Sequence, residues 1–169
     1  MKQKILLTLI LSMIVTLGYC QQNAPLDKWN WILGEWIGEG SGTPGEGKGF
    51  FTFEFDLDKN IVVRKSHSEY SATNDKPKII HDDLMVVFID QSESNTKAIY
   101  FDNESHVINY SIIYTENSIV LTSKKIPNMP IFRLTYTLID QVTVDTKFEM
   151  SQDGTNFMVY VQGKSKKTT

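Results

Sequence analysis

The chain has 169 residues and a formal net charge of −3, from 17 lysines and arginines against 20 aspartates and glutamates. This length fits one domain with a sizeable core. The acidic balance argues against a nucleic-acid-binding protein, because such proteins cluster positive charge to meet phosphates. The chain has one cysteine, Cys20, so a disulfide framework is excluded; removal of Cys20 by processing would exclude zinc–thiolate sites and thiol nucleophiles as well.

Residues 1–20 have the features of a secretory signal. Two lysines in the first four residues precede an almost wholly apolar run over residues 5–17, which is too short to span a bilayer and is followed by polar chain. Two processing routes are open. Cleavage after Cys20 releases residues 21–169, whereas lipoprotein processing keeps Cys20 as a lipidated first residue, and the bulky Tyr19 favours simple export. We therefore predict one exported domain, periplasmic or secreted, without a membrane span.

A short helix and a strand with a row of glycines open this domain. Residues 26–33 carry apolar side chains at helical spacing, enough for one or two turns. From Gly34 the period changes to two, as in a strand. A glycine row on one face costs backbone entropy, so it indicates a sharp bend at a barrel corner or close approach of another group to the backbone. The residues on that face are Trp36, Gly38, Gly40 and Gly42.

The rest of the chain alternates between predicted strands and turns. No later segment has the apolar periodicity of a crossover helix, which argues against a parallel α/β sheet. A sheet of about ten strands joined by short turns has no exposed edge strands when it closes into a barrel. The predicted fold is therefore all-β, a closed antiparallel up-and-down barrel of about ten strands with a short N-terminal helix; a two-sheet sandwich is the alternative. The strands after the first are predicted at 49–57, 61–70, 84–89, 98–101, 106–114, 119–123, 132–138, 142–150 and 156–164.

The opening segment resembles that of the lipocalin-like (calycin) barrels. The pattern over residues 31–42 is most similar to nitrobindin and its bacterial relatives; it runs from Trp31 through Leu33-Gly34-x-Trp36-x-Gly38-x-Gly40-x-Gly42. This resemblance covers the strand layout of the whole domain, although its specific part is confined to these twelve residues.

The resemblance also implies two features of the last strand. Nitrobindin holds haem through a histidine there, but residues 156–164 contain none and leave Tyr160 as the one conventional haem ligand. We therefore expect no haem cofactor. In lipocalins a basic residue of the last strand packs over the first-strand tryptophan, which implies Lys164 or Lys166 over Trp36.

The candidate binding residues are aromatic or basic side chains on predicted strand faces. An arginine inside a barrel commonly meets a carboxylate or phosphate, whereas an outward arginine only solubilises its strand, and both placements are open for Arg64. The far half of its strand, 61–70, is polar on both faces, which predicts either that it runs beyond the core or that it lines a wet cavity. The predicted ligand-binding residues are Trp36, Arg64, His106, Tyr110, Tyr136 and Tyr160.

Three histidines are candidates for metal ligands or for a catalytic base. His67, His81 and His106 lie on different predicted strands without ligand spacing, so no metal site is predicted. His106 follows Asp102 across a tight turn, and a histidine oriented by a carboxylate suits general base chemistry as well as a turn-stabilising hydrogen bond. His81, Asp82 and Asp83 allow two interpretations. They could supply acid and base groups, or they could be solvated residues that precede a strand.

The favoured function is an exported, non-catalytic barrel that binds a small apolar or amphipathic molecule. One alternative is a barrel enzyme in which His106 and Asp102 transfer protons on a small substrate. Another is a filled barrel whose exterior meets an envelope protein. The sequence holds no nucleophile elbow, phosphate-cradling loop or metalloprotease motif, so enzymatic activity stays uncertain.

Overall fold

The structure, a computed structural model, describes residues 25–168. A 3-10 helix, Pro25–Ile32, precedes ten strands. The predicted signal segment and the processing site at Cys20 lie outside the described residues. The strands are β1 (Gly34–Gly42), β2 (Gly45–Asp56), β3 (Ile61–Tyr70), β4 (Ile79–Asp90), β5 (Asn95–Asp102), β6 (Val107–Tyr114), β7 (Ser118–Ser123), β8 (Ile131–Asp140), β9 (Thr143–Ser151) and β10 (Met158–Lys167).

The ten strands form one closed barrel. Each strand pairs antiparallel with the next in sequence, and β1 pairs with β10 to close the ring. Alternating side chains explain the two surfaces of the wall: in β2, Phe51 and Phe53 are buried inside while Glu54 is exposed. The predicted closed antiparallel barrel with a short N-terminal helix is confirmed.

The helix closes one end of the barrel. It packs against β3 and β4, and Leu26, Trp29 and Ile32 are fully buried there. The Trp29 indole N–H donates to the Tyr114 hydroxyl at 2.9 Å. Because buried polar groups cost stability unless they are hydrogen-bonded, this bond allows a large aromatic ring to close the end.

Trp36 completes the closed end from β1. Its ring is fully buried, its indole N–H donates to the Ile32 carbonyl at 2.7 Å, and it stacks on Phe51 with the ring centroids 6.3 Å apart. The basic residue over this ring is Lys167, whose amine lies 5.3 Å from the ring centroid. The prediction of Lys164 or Lys166 was therefore wrong, since the register places Trp36 opposite Lys167.

The glycine row of β1 exists because β10 approaches it closely. A Cβ atom at Gly38 would lie 2.3 Å from the Lys164 carbonyl oxygen, and one at Gly40 would lie 2.8 Å from the Gln162 carbonyl oxygen. Both distances are shorter than real Cβ contacts, so any larger residue would push the two strands apart. Of the two predicted reasons for the row, close backbone approach is the one observed.

Several strands are longer than their sequence patterns predict, and the extensions of β4 and β5 bear on the cavity. β4 begins at Ile79 rather than at residue 84, and β5 spans Asn95–Asp102 rather than residues 98–101. Apart from Ile79, the cavity-lining residues added to these strands are polar, which hides a strand from a hydrophobic pattern. These extensions place His81, Asp83 and Asp102 on the inner wall.

Among residues 25–168, no helix is long and apolar enough to cross a membrane.

Candidate ligand cavity

The barrel encloses a cavity of about 530 Å³ that opens at the end opposite the helix. This volume lies within the range of small-molecule sites, and it disagrees with the alternative of a filled barrel. Polar side chains come mainly from β3 to β6, and apolar ones mainly from β8 to β10. The polar wall includes Arg64, Ser66, His81, Asp83, Tyr100 and Tyr110, and the apolar wall includes Phe132, Leu134, Phe148, Met150 and Val161.

An ion pair between Arg64 and Asp83 lies inside the cavity. The Arg64 guanidinium donates to the Asp83 carboxylate, and the two side chains are only 8% and 5% exposed. Burial raises the pKa of Asp83, while Arg64 and His81 oppose that rise. Of the two placements considered for Arg64, the inward one with a carboxylate partner is observed. The far half of β3 lines the cavity through Ser66, Ser68 and Tyr70.

A second group of polar side chains surrounds the opening: His81, Tyr100, Asp102 and His106, called here the mouth cluster. His81 Nε2 lies 2.8 Å from the Tyr100 hydroxyl, which in turn lies 3.4 Å from Asp102 Oδ2. His106 Nδ1 lies 2.8 Å from the same Asp102 oxygen. These contacts connect β4, β5 and the turn before β6 into one hydrogen-bonded rim.

Asp102 is the buried centre of the mouth cluster. Its side chain is 3% exposed, whereas that of His106 is 55% exposed. Burial disfavours the charged carboxylate, but hydrogen bonds from the backbone and ring of His106 hold the pKa of Asp102 below its ordinary value. The pair therefore combines a fixed carboxylate with an imidazole that solvent and a ligand can reach.

The structure separates the six predicted binding residues into two groups. Arg64, His106, Tyr110 and Tyr160 line the cavity, with Tyr160 on the outer part of β10 at 37% exposure. Trp36 lies in the closed end and is not a cavity residue. Tyr136 is also fully buried and adjoins the cavity without lining it.

Sequence reasoning missed the acidic and phenolic residues that complete the polar wall. Asp83 was not among the predicted binding residues, because acid or base chemistry and a solvated strand start were both open for it, and Tyr100 was not selected. One signal was available: Asp83 shares strand parity with Met85 and Val87, both fully buried. An inward arginine on the neighbouring strand also requires such a carboxylate.

The described residues contain no cluster of three or more histidine, cysteine, aspartate or glutamate side chains arranged to hold a metal ion. The haem ligand that the nitrobindin resemblance implies is not supplied either. β10 carries no histidine, and its Tyr160 stands at the edge of the opening.

Comparisons with known proteins find similarity in fold but not in sequence. No protein-family model matches the sequence, and no curated protein matches it. The solved structure of Rv2717c from M. tuberculosis is similar with a TM-score of 0.60 and 14% identity, covering 86% of this chain and 99% of that one. The S-type phycobiliprotein lyase CPES from Guillardia theta is similar with a TM-score of 0.52 and 8% identity, covering 87% and 94%. At these identities, what the chain shares with both proteins is a closed antiparallel barrel.

Proposed function

We propose that this protein is an exported, non-catalytic barrel that binds a small amphipathic molecule in its cavity. The observation that carries the proposal is the division of one cavity into a polar wall and an apolar wall. An amphipathic ligand can bury its apolar body against Phe132, Phe148 and Met150 while its polar group contacts the opposite wall. The export part of the proposal depends only on the signal-like residues 1–20.

The mouth cluster supports binding by holding the opening in one shape. Hydrogen bonds among His81, Tyr100, Asp102 and His106 fix three chain segments before any ligand enters. A site ordered in advance loses less conformational entropy on binding, which increases affinity. The missing histidine in β10 makes haem a poor candidate for the ligand, so the nitrobindin resemblance bears here on fold rather than on cofactor.

The test is native mass spectrometry of the wild-type protein and of a variant whose cavity is filled by a larger side chain. The mature protein, purified gently from its host, is expected to carry a small molecule that denaturation releases. Ile108→Trp should abolish this occupancy, because Ile108 lines the cavity. The matched control is Asn109→Trp, which adds the same ring one residue later on the exposed outer face.

Occupancy that survives Ile108→Trp would show that the molecule binds elsewhere and would refute the proposal. If the purified protein carries nothing, the same pair of variants is compared for binding of the fluorescent naphthalene Prodan. Prodan binding that Ile108→Trp does not weaken would refute the proposal equally.

A second candidate function, proton transfer on a bound substrate, is favoured by one observation. The His106 and Asp102 side chains form a 2.8 Å contact at the cavity opening, with the imidazole accessible. Incubating the released molecule with fresh protein separates the two functions. Unchanged recovery supports binding, whereas a product that forms with the wild type but not with His106→Ala supports catalysis.

A further inference from the structure

Three buried polar atoms next to the cavity have no hydrogen-bond partner among the described residues. They are Arg64 Nε, the Tyr136 hydroxyl and Thr146 Oγ1, called here the floor trio. Buried polar groups in native proteins are nearly always paired, so an unpaired set calls for an explanation such as a ligand or ordered water. The Arg64 guanidinium counteracts the rise that burial causes in the pKa of Tyr136, yet the two make no hydrogen bond of ordinary geometry.

The floor trio lies together at the inner limit of the cavity. Tyr136 and Thr146 are directly opposite each other on β8 and β9. The Arg64 guanidinium carbon lies 5.9 Å from the centroid of the Tyr136 ring. Arg64 and Thr146 line the cavity, whereas the next inward residues on their strands, Val62 and Val144, are fully buried in the core.

The donors and charges of the floor trio restrict what it can bind. Arg64 Nε is only a donor, and each hydroxyl can donate as well as accept. The trio therefore holds three groups that can donate hydrogen bonds to oxygen acceptors. The positive charge of Arg64 is already paired with the buried Asp83, so a second carboxylate at the floor would be repelled by the first.

We propose that the floor trio binds the carbonyl oxygen of an uncharged ligand group, so that the molecule enters the barrel carbonyl first. The inference rests on the proposed binding function and specifies its ligand class. The apolar remainder of the molecule then lies between the opening and the floor, against the wall formed by Phe132, Phe148 and Met150.

The test compares two dyes that differ only in a carbonyl group. Prodan is a dimethylaminonaphthalene with a propionyl group, and 2-dimethylaminonaphthalene lacks that group. Wild-type protein should bind Prodan more tightly. Tyr136→Phe and Thr146→Val should each weaken Prodan binding roughly three- to tenfold, the size of one hydrogen bond, and leave the affinity for the parent dye unchanged.

Unfolding of the ligand-free variants supplies the control for structural damage. Because neither hydroxyl has a partner, its removal should leave the thermal midpoint unchanged or raise it. A purely structural role would instead lower the midpoint and weaken both dyes together.

Three results would overturn the inference while leaving the binding function intact, provided Ile108→Trp still blocks the parent dye. The variants could bind Prodan as well as the wild type, which would mean that water satisfies the floor trio. The Tyr136 and Thr146 variants could lose affinity for both dyes equally, which would mean that the two hydroxyls have a structural role. The corresponding naphthalene carboxylate could bind more tightly than Prodan with the same dependence on Tyr136 and Thr146, which would make the ligand group an anion. If Ile108→Trp blocks neither dye, the binding function itself fails.

Discussion

The two ends of the barrel are built from different chemistry. The closed end is made of large side chains with no exposed surface, and its two indole N–H groups are satisfied by single internal hydrogen bonds from Trp29 and Trp36. The open end is made of ionisable side chains that hydrogen-bond to one another across strands, with His106 at its edge more than half exposed.

This difference shows how one sheet can be stable and still hold a cavity. At the closed end, burial of apolar area supplies the stability. At the open end, the hydrogen bonds contribute less net free energy, but they fix the shape of the rim. We therefore expect substitutions at the closed end to affect mainly stability, and substitutions at the open end to affect mainly binding.

The largest expected effect is at the closed end. Trp36→Ala should lower the free energy of unfolding by about 3–5 kcal/mol, because it leaves a cavity among fully buried rings. Denaturant titration measures this change. The matched control is Ile37→Ala on the outer face of the same strand, where the side chain is 54% exposed and the change should stay below about 0.5 kcal/mol. Similar losses for the two variants would contradict the comparison.

An intermediate effect is expected within the rim. Tyr100→Phe removes the 2.8 Å hydrogen bond to His81 and should cost about 1 kcal/mol in the free energy of unfolding. Tyr136→Phe removes a hydroxyl of the same type that has no partner and should cost nothing. Chemical denaturation of the two variants side by side tests whether a satisfied phenol stabilises the barrel more than an unsatisfied one. Equal losses would show that the hydrogen-bonding difference has no energetic meaning.

A small effect on stability but a clear effect on binding is expected at His106. His106→Ala should change the free energy of unfolding by about 1 kcal/mol or less, because the ring is half exposed, yet it should weaken ligand binding at the opening. A variant with unchanged affinity for the co-purified molecule would remove His106 from the site.

The same variant should show a dependence on pH. The folded-state pKa of Asp102 is below its ordinary value of 3.8, so its charged form stabilises the fold above that pH. This contribution is lost as pH falls below 3.8 through the lowered value. The stability difference between wild type and His106→Ala, followed by thermal unfolding from pH 6 to pH 2, should therefore shrink at the acidic end. A difference that grows there would mean that the contact with Asp102 does not matter.

The fold was predictable because its signals are local and repeated. Alternation in segments such as 49–57 and 132–138 identified strands, and the period change at Gly34 separated the helix from β1. The limits of β4 and β5 were not predictable, because His81, Asp83 and Asp102 place polar groups at inward positions where apolar side chains would mark a strand. Apolar alternation therefore marks a strand only up to the point where its inward-facing side chains become polar cavity residues.

The site was only partly predictable for a related reason. Arg64, His106 and Tyr110 could be selected by strand parity, but their partners depend on register between strands. Asp83 reaches Arg64 because residues 64 and 85 are paired across β3 and β4, and nothing within one strand specifies that pairing. Tyr136 was selected as an aromatic wall residue, whereas its unpartnered hydroxyl is visible only in three dimensions.

The ring closure between β1 and β10 also has a consequence for folding order. It joins Trp36 to Lys167, while every other pairing in the described chain joins consecutive strands. Closing so long a loop costs more entropy than forming a hairpin, and it cannot happen until the last strand has been synthesised. Until then β1 has an unpaired edge that other chains could bind. Its sequence, GEWIGEGSG, is rich in glycine and carries two glutamates, a composition that disfavours intermolecular strand pairing. The residues that let β10 approach so closely thus also protect the nascent chain from aggregation while it waits for that strand.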